Sequence, residues 1–153
     1  MKKLLALTFL SLAACPKEEV DDTSPVEDTS VSEPTCEEQV FSGTYQVLAS
    51  DDHLKHAFTV LEGTATVRAE LVWEDPAWGF DLDLGTGTCP HSGTTWLHVE
   101  GAGSPVVGEV IAADYEDGLA TGPWFAHIAL QPGDHAVGDT AEYTLTVSLC
   151  PEA

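Results

Sequence analysis

The 153-residue chain has no asparagine, a single methionine and only five basic residues. Without asparagine, its turns must rest on glycine, aspartate and proline. Five Lys and Arg stand against 26 Asp and Glu, a formal net charge of −21. A field of that sign repels nucleic acid, so a nucleic-acid partner is excluded. It permits cationic partners, Ca²⁺ above all, and it equally suits solubility in a salty habitat. The chain has no apolar run of the roughly 20 residues that a membrane-spanning helix needs. It shows no Gly-x-Ser-x-Gly elbow, no Cys-x-x-Cys or His-Glu-x-x-His pattern and no EF-hand loop. The commonest signatures of hydrolases and of zinc and calcium sites are therefore missing. Gly85-Thr86-Gly87-Thr88 is glycine-rich, but no lysine or helix follows to hold a phosphate, and it reads as a loop.

What is present begins at the N-terminus. Lys2 and Lys3 precede an apolar stretch, Leu4 to Ala14, with the charge and length of a secretory signal. The stretch closes on Leu12-Ala13-Ala14-Cys15, which resembles the lipobox of bacterial lipoproteins. The resemblance implies cleavage before Cys15 and acylation of its thiol. Several acyl chains anchor stably, at roughly 0.8 kcal/mol per buried CH₂. Pro16 stands where an Asp would, in that family, retain the protein at the inner membrane. The resemblance therefore implies the outer membrane of a bacterial envelope, with the domain in the periplasm or outside the cell. Residues 16–35 hold seven acidic residues, one lysine, three prolines and no aromatic residue. Such a segment has too little apolar surface to offset its ordering entropy, and reads as a disordered, extended tether. The expected division is a signal over 1–14, lipidated Cys15 with its linker to 35, and one domain over 36–153.

That domain carries 19 acidic residues against Lys55 and Arg68, so its formal charge is 2 − 19 = −17. Export places its cysteines in an oxidising space. A Cys36–Cys150 bridge would tie the beginning of the domain to its end. Cys36–Cys89 and Cys89–Cys150 are also allowed, and each choice leaves one thiol over.

Hydrophobic alternation dominates the domain. Ala65, Val67, Ala69, Leu71 and Trp73 fall on one side of Thr64–Trp73, with Thr66, Arg68 and Glu70 on the other. Tyr143, Leu145, Val147 and Leu149 alternate with threonine and serine, and Phe80, Leu82 and Leu84 with Asp81 and Asp83. Period two over such lengths predicts half-buried strands. Weaker strands are expected over 41–49, 53–61, 94–99, 106–112 and 124–130, separated by Gly, Pro and Asp clusters. About eight short strands without a helix predict an all-β, antiparallel sandwich or jelly roll, with a flattened barrel as runner-up.

A family pattern lies on these strands. Val72-Trp73-Glu74-Asp75 followed by Phe80-Asp81-Leu82-Asp83-Leu84 resembles the central strand of bacterial pre-peptidase C-terminal (PPC) domains. Asp117-Gly118, Gly122-Pro123, Ile128-Ala129-Leu130 and Gln131-Pro132-Gly133 are similar to the segment before their penultimate strand. Tyr143-Thr144-Leu145-Thr146-Val147 is similar to their closing strand. The resemblance spans about residues 55–149. Asp134-His135 stands where the family has a tyrosine, a departure that falls on the last hairpin. The resemblance implies a β-sandwich accessory module of exported proteins, used for targeting, substrate contact or stability, sometimes with bound Ca²⁺.

Candidate sites follow from residue chemistry. Asp81 and Asp83 project from one face of their strand. Asp75, Asp114, Glu116 and Asp117 could complete a set of oxygen ligands for Ca²⁺, against the plainer reading of a solvated acidic face. Trp78, in a Pro-Ala-Trp-Gly turn, is the tryptophan expected to be exposed for stacking on a sugar ring, whereas Trp73 belongs to the inward set. His53 with His56, and Cys89 with His91, invite a transition metal, although residues three apart on a strand point to opposite faces. The leading expectation is a lipid-anchored, monomeric, non-enzymatic binding module of the envelope. Its partners would be the bilayer through acylated Cys15 and an envelope protein or polysaccharide. The alternative is a small secreted metal-dependent enzyme or metal-handling protein built on those histidines and Cys89.

Overall fold

A computed structural model describes residues 35–48, 54–87 and 93–152. The described residues form eight strands: β1 Glu37–Gln46, β2 Leu54–Val60, β3 Thr64–Trp73, β4 Phe80–Thr86, β5 Thr94–Val99, β6 Val106–Ile111, β7 Gly122–Leu130 and β8 Thr140–Pro151. A single 3₁₀ turn, Ala112–Asp114, follows β6.

The strands form two four-stranded antiparallel sheets. The first sheet has the order β1-β8-β3-β6 and the second β2-β7-β4-β5. β1 pairs with β8, β2 with β7, β3 with β6 and β4 with β5. This is one long antiparallel hairpin rolled up, the jelly-roll form of the β-sandwich. The roll closes where β3 meets β8 and β4 meets β7.

Alternation explains why these segments are strands. Burial alternates along most of β3 and along β8 as far as Val147, and the apolar set of each strand enters the space between the sheets. Leu71, Val67, Leu145 and Val147 come from the first sheet; Phe80, Leu82, Leu84, Trp124 and Ile128 come from the second, and all are fully buried. Each such side chain contributes about 1.5–3 kcal/mol on leaving water. Trp73 is also buried, with its indole N–H donated to the Trp78 carbonyl at 2.9 Å. β1 begins at Glu37, four residues before the alternation becomes visible, because its register with β8 runs unbroken from Glu37↔Leu149 to Gln46↔Thr140.

Cys36, just before β1, is bonded to Cys150 near the end of β8, closing a loop with a sequence separation of 114. Of the three pairings open to the sequence, the structure contains the one that joins the ends of the domain.

Candidate functional site

The outward faces of the two sheets differ, and the chemistry gathers on the second. Outward residues of β7 alternate with the buried set Trp124, Ala126 and Ile128, which leaves Phe125 and His127 on the outer side. Asp83 of β4 lies directly across from His127 of β7 and from His98 of β5. Lys55 of β2 lies across from His127. One row, Lys55–His127–Asp83–His98, thus runs over all four strands.

The two carboxylate oxygens of Asp83 are divided between two imidazoles. His98 Nδ1 is 2.6 Å from Oδ1, and His127 Nδ1 is 2.8 Å from Oδ2. With Asp83 ionised, both Nδ1–H groups donate, so the carboxylate sets the tautomer and plane of each ring. His127 is buried, whereas the His98 side chain is 51% exposed. Of the two rings that Asp83 holds, that of His98 is the one exposed to water.

Burial alone would raise Asp83. The hydrogen bonds from His127 and His98, with their charges, outweigh it and hold the carboxyl below its ordinary 3.8. His98 moves up from 6.5, chiefly through its bond to Asp83; slight burial opposes this, and Asp83, Asp81 and Glu100 add attraction. A raised histidine stabilises the fold below its unfolded value and loses that contribution as pH rises through its folded value. A lowered carboxyl contributes above 3.8 and is lost as pH falls through its folded value.

Beside this row the Phe125 ring lies on Gly85. A Cβ there would come within 2.5 Å of the Thr94 carbonyl and 2.7 Å of the ring, so the position, at a bulge in the β4–β5 ladder, requires glycine. Lys55 Nζ sits 6.0 Å from the centre of the same ring, within cation–π range.

Asp81, two residues before Asp83, has a different task. Its Oδ1 accepts the Gly101 N–H at 3.0 Å and the Gln131 amide at 2.6 Å, while the same amide donates to the Gly101 carbonyl at 2.8 Å. This network joins the β5–β6 connection to β4 and to the exit of β7. A side chain at Gly101 would strike the Phe80 carbonyl at 2.0 Å. Above the network is an open cleft of about 280 Å³, bordered by Trp78, Gly79, Ala102, Gln131 and His135.

The carboxylates considered for calcium are engaged in other contacts. Asp81 and Asp83 do share a face, but Asp83 spends one oxygen on each histidine, and Asp81 accepts two donors. Asp75 accepts the Ala77 N–H at 2.9 Å and closes its own turn. Asp75 follows β3 and Asp114 follows β6, and antiparallel pairing of those strands sends the two to opposite ends of the sandwich. Asp117 lies three residues beyond Asp114. Among the described residues no three His, Cys, Asp or Glu are grouped to hold a metal ion.

Trp78 is corrected. It is 7% exposed rather than open to solvent. Its ring stacks on His135 at 4.1 Å and on Phe80 at 5.8 Å. An indole has too much apolar surface to leave in water when the end of a core is adjacent, so the turn folds it inward and leaves little ring for a sugar.

Of the histidines singled out from the sequence, His56 packs between the sheets. Its Nε2 is 2.8 Å from the Tyr143 hydroxyl, its ring stacks on Phe41 at 4.6 Å, and burial lowers its pKa from 6.5. His53, Cys89, His91 and Cys15 lie outside the described residues. The sequence reading missed His98 and His127. Strand parity could have placed both outward; only the register brings them to Asp83.

No family model matches the chain, and no curated protein matches it. Among solved structures, the Yersinia pseudotuberculosis-derived mitogen is similar at 15% identity and a TM-score of 0.46, over 77% of this chain and 90% of that one. T=1 particles derived from infectious bursal virus match at 14% identity and a TM-score of 0.45, over 78% of this chain and 32% of theirs. The Bacillus endospore appendages, described as disulfide-linked pili, match at 10% identity and a TM-score of 0.36, over 94% of this chain and 100% of theirs.

Proposed function

We propose that the chain is a lipid-anchored protein of a bacterial outer membrane, and that its β-sandwich is a non-catalytic binding or accessory module. One observation carries the proposal: Lys2-Lys3, the apolar stretch from Leu4 to Ala14, and Leu12-Ala13-Ala14-Cys15 stand together in the order of a lipoprotein signal. The acidic, proline-bearing segment after Cys15 supports it, since a charged tether holds a domain away from a surface. A disulfide at the point where the tether enters the domain suits an exported protein. The PPC-like motifs on β4, β7 and β8 support an accessory role.

The polar groups of the second sheet are engaged with one another. Asp83 spends both oxygens fixing two rings, and Asp81 fixes a loop; neither carboxylate is placed against a hydroxyl or thiol nucleophile in the contacts it makes. The alternative, a metal-dependent enzyme or metal-handling protein, depended on residues of which His56 is bonded to Tyr143.

The test is labelling with radioactive palmitate in a bacterial host, followed by fractionation of the envelope. The chain incorporates label and sediments with membranes, and Cys15→Ala does neither. Label retained in Cys15→Ala would refute the proposal.

A further inference from the structure

β5 ends the second sheet and β6 ends the first, and the chain passes from one to the other through residues 100–105. An open groove of about 410 Å³ lies along this connection. Its walls include Val99 and Glu100 at the end of β5, Ala102, Gly103 and Pro105 in the connection, and Val107 of β6. All of them are described residues. The groove is preformed, because the connection is pinned on both sides. Gly101 donates its N–H to Asp81 and accepts the Gln131 amide on its carbonyl, and the Ser104 hydroxyl accepts the Trp73 N–H at 2.9 Å. A segment that docks there has no loop to order.

Apolar surface continues from the groove onto the outer face of the first sheet. Val107 is 42% exposed, and Val72 on the neighbouring strand is 39% exposed. The register of β3 with β6 puts both on that outer face, Val107 directly across from Glu70 and Val72 two residues beyond it. Exposed apolar residues scattered singly need no explanation; a pair on adjacent strands beside a preformed groove marks a contact surface.

Charge decides the occupant. Glu100 lines the groove, and exposed Glu109 stands two residues from Val107 on the same face of β6. Arg68 is the only Lys or Arg in β3, β5, β6 and the connection, and it is paired with Glu70 at 2.6 Å. His98, two residues before Glu100, is bonded to Asp83. The rim is therefore left acidic, on a domain that carries −17. A second copy or an anionic lipid surface brings the same sign and is repelled, whereas a basic segment is drawn in. We propose that this groove docks an extended basic segment of a partner protein. The segment lays one aliphatic side chain against Ala102 and Val107 and sets lysine or arginine against Glu100 and Glu109. The proposal rests on the binding-module part of the functional reading and is independent of the anchor.

The test is nuclear magnetic resonance of the full chain in nanodiscs of zwitterionic lipid. It is titrated with a short peptide that carries one leucine among lysines, and with two counterparts, one with glutamate for lysine and one with glycine for leucine. The lysine–leucine peptide shifts the amides of Ala102, Gly103 and Val107. Each counterpart binds at least about tenfold more weakly, a difference of about 1.4 kcal/mol. Val107→Lys weakens the lysine–leucine peptide by a similar factor. Leu61→Lys adds the same charge at a residue that is 58% exposed, in the turn before β3 at the opposite end of that strand, and leaves binding unchanged. Both replace an exposed side chain, so melting temperatures stay close to that of the parent. No binding at millimolar peptide, equal binding of the three peptides, shifts that avoid the groove, or equal losses in the two variants would overturn the proposal. So would a peptide-free dimer joined through Val107, which would make a second copy the occupant. The Cys15→Ala chain, free of the nanodisc, gives the same titration, so failure here and failure of the anchor are read separately.

Discussion

The two sheets are fastened by different chemistry. In the first, an edge strand is tied covalently: Cys36–Cys150 joins the start of β1 to the end of β8. In the second, β7, β4 and β5 are tied by a polar row in which Asp83 holds one imidazole from either side. The first fastening answers to reductant and ignores protons. The second answers to protons and ignores reductant. The contrast shows how an acidic domain with few cations can still use a carboxylate structurally. It recruits histidines as donors, since Lys55 and Arg68 are the only strong bases it has.

The largest expected effect breaks the covalent side. The bridge closes a loop of more than a hundred residues, for which chain entropy gives roughly 4–5 kcal/mol. Reduction, or Cys36→Ser with Cys150→Ser, is expected to lower the urea midpoint accordingly. A loss below about 1 kcal/mol would mean that β1 holds to β8 without it.

Next comes the polar side. Asp83→Ala removes the common acceptor of His98 and His127 and costs about 1–3 kcal/mol in chemical denaturation, since His127 is buried. Amide exchange should quicken in β5, the edge strand that loses its tie, and not in β1. Quickening in both sheets alike would erase the contrast.

Acid separates the sheets without mutation. Below its unfolded value of 3.8, Asp83 loses its contribution as pH falls through its folded value. His56 acts earlier and from inside. Burial lowers its pKa, so the folded state resists its protonation and stability declines as pH falls below 6.5. His98 does not offset that decline, because its raised pKa makes its contribution fully present below 6.5 and lost only as pH rises through its folded value. A stability profile of His56→Gln should therefore be flatter just below pH 6.5 than that of the parent. An unchanged slope would remove His56 from the account.

The smallest effect is expected on the outer face of the first sheet. Arg68 and Glu70 form a pair at 2.6 Å, two residues apart on β3, with side chains 40% and 34% exposed. Screening reduces such pairs to about 0–1 kcal/mol, so Arg68→Ala should barely move the melting temperature. A loss as large as that of Asp83→Ala would show that the first sheet also relies on ion pairing.

The strands themselves were legible from sequence because alternation is a local signal. The set from Ala65 to Trp73 and the set from Tyr143 to Leu149 each announce a buried face without reference to any other strand. The start of β1 was not legible, since Glu37 to Val40 carry no alternation and are strand only because β8 extends alongside them. For the cysteines, the sequence favoured Cys36–Cys150 because the pair brackets the domain, although two other pairings were allowed, and the rolled hairpin brings those two together. His98 and His127 escaped for the same reason. Their outward parity could be read, but which residue they face is a matter of register between strands far apart in the chain. Trp78 was misread because a turn composition suggests solvent, whereas the end of the core lies directly beneath that turn. Which acidic residues lie near one another was not legible either, because antiparallel pairing of β3 with β6 sends Asp75 and Asp114 to opposite ends of the sandwich.

The central claim is that this rolled pair of sheets is displayed from a membrane by its N-terminal cysteine. The most direct measurement is mass spectrometry of the N-terminal peptide released from the chain after expression in a bacterial host and extraction with detergent. The account predicts a peptide that begins at Cys15 and carries a diacylglyceryl adduct. A peptide that begins at Met1, or one that begins at Cys15 with a free thiol and no lipid, would contradict it.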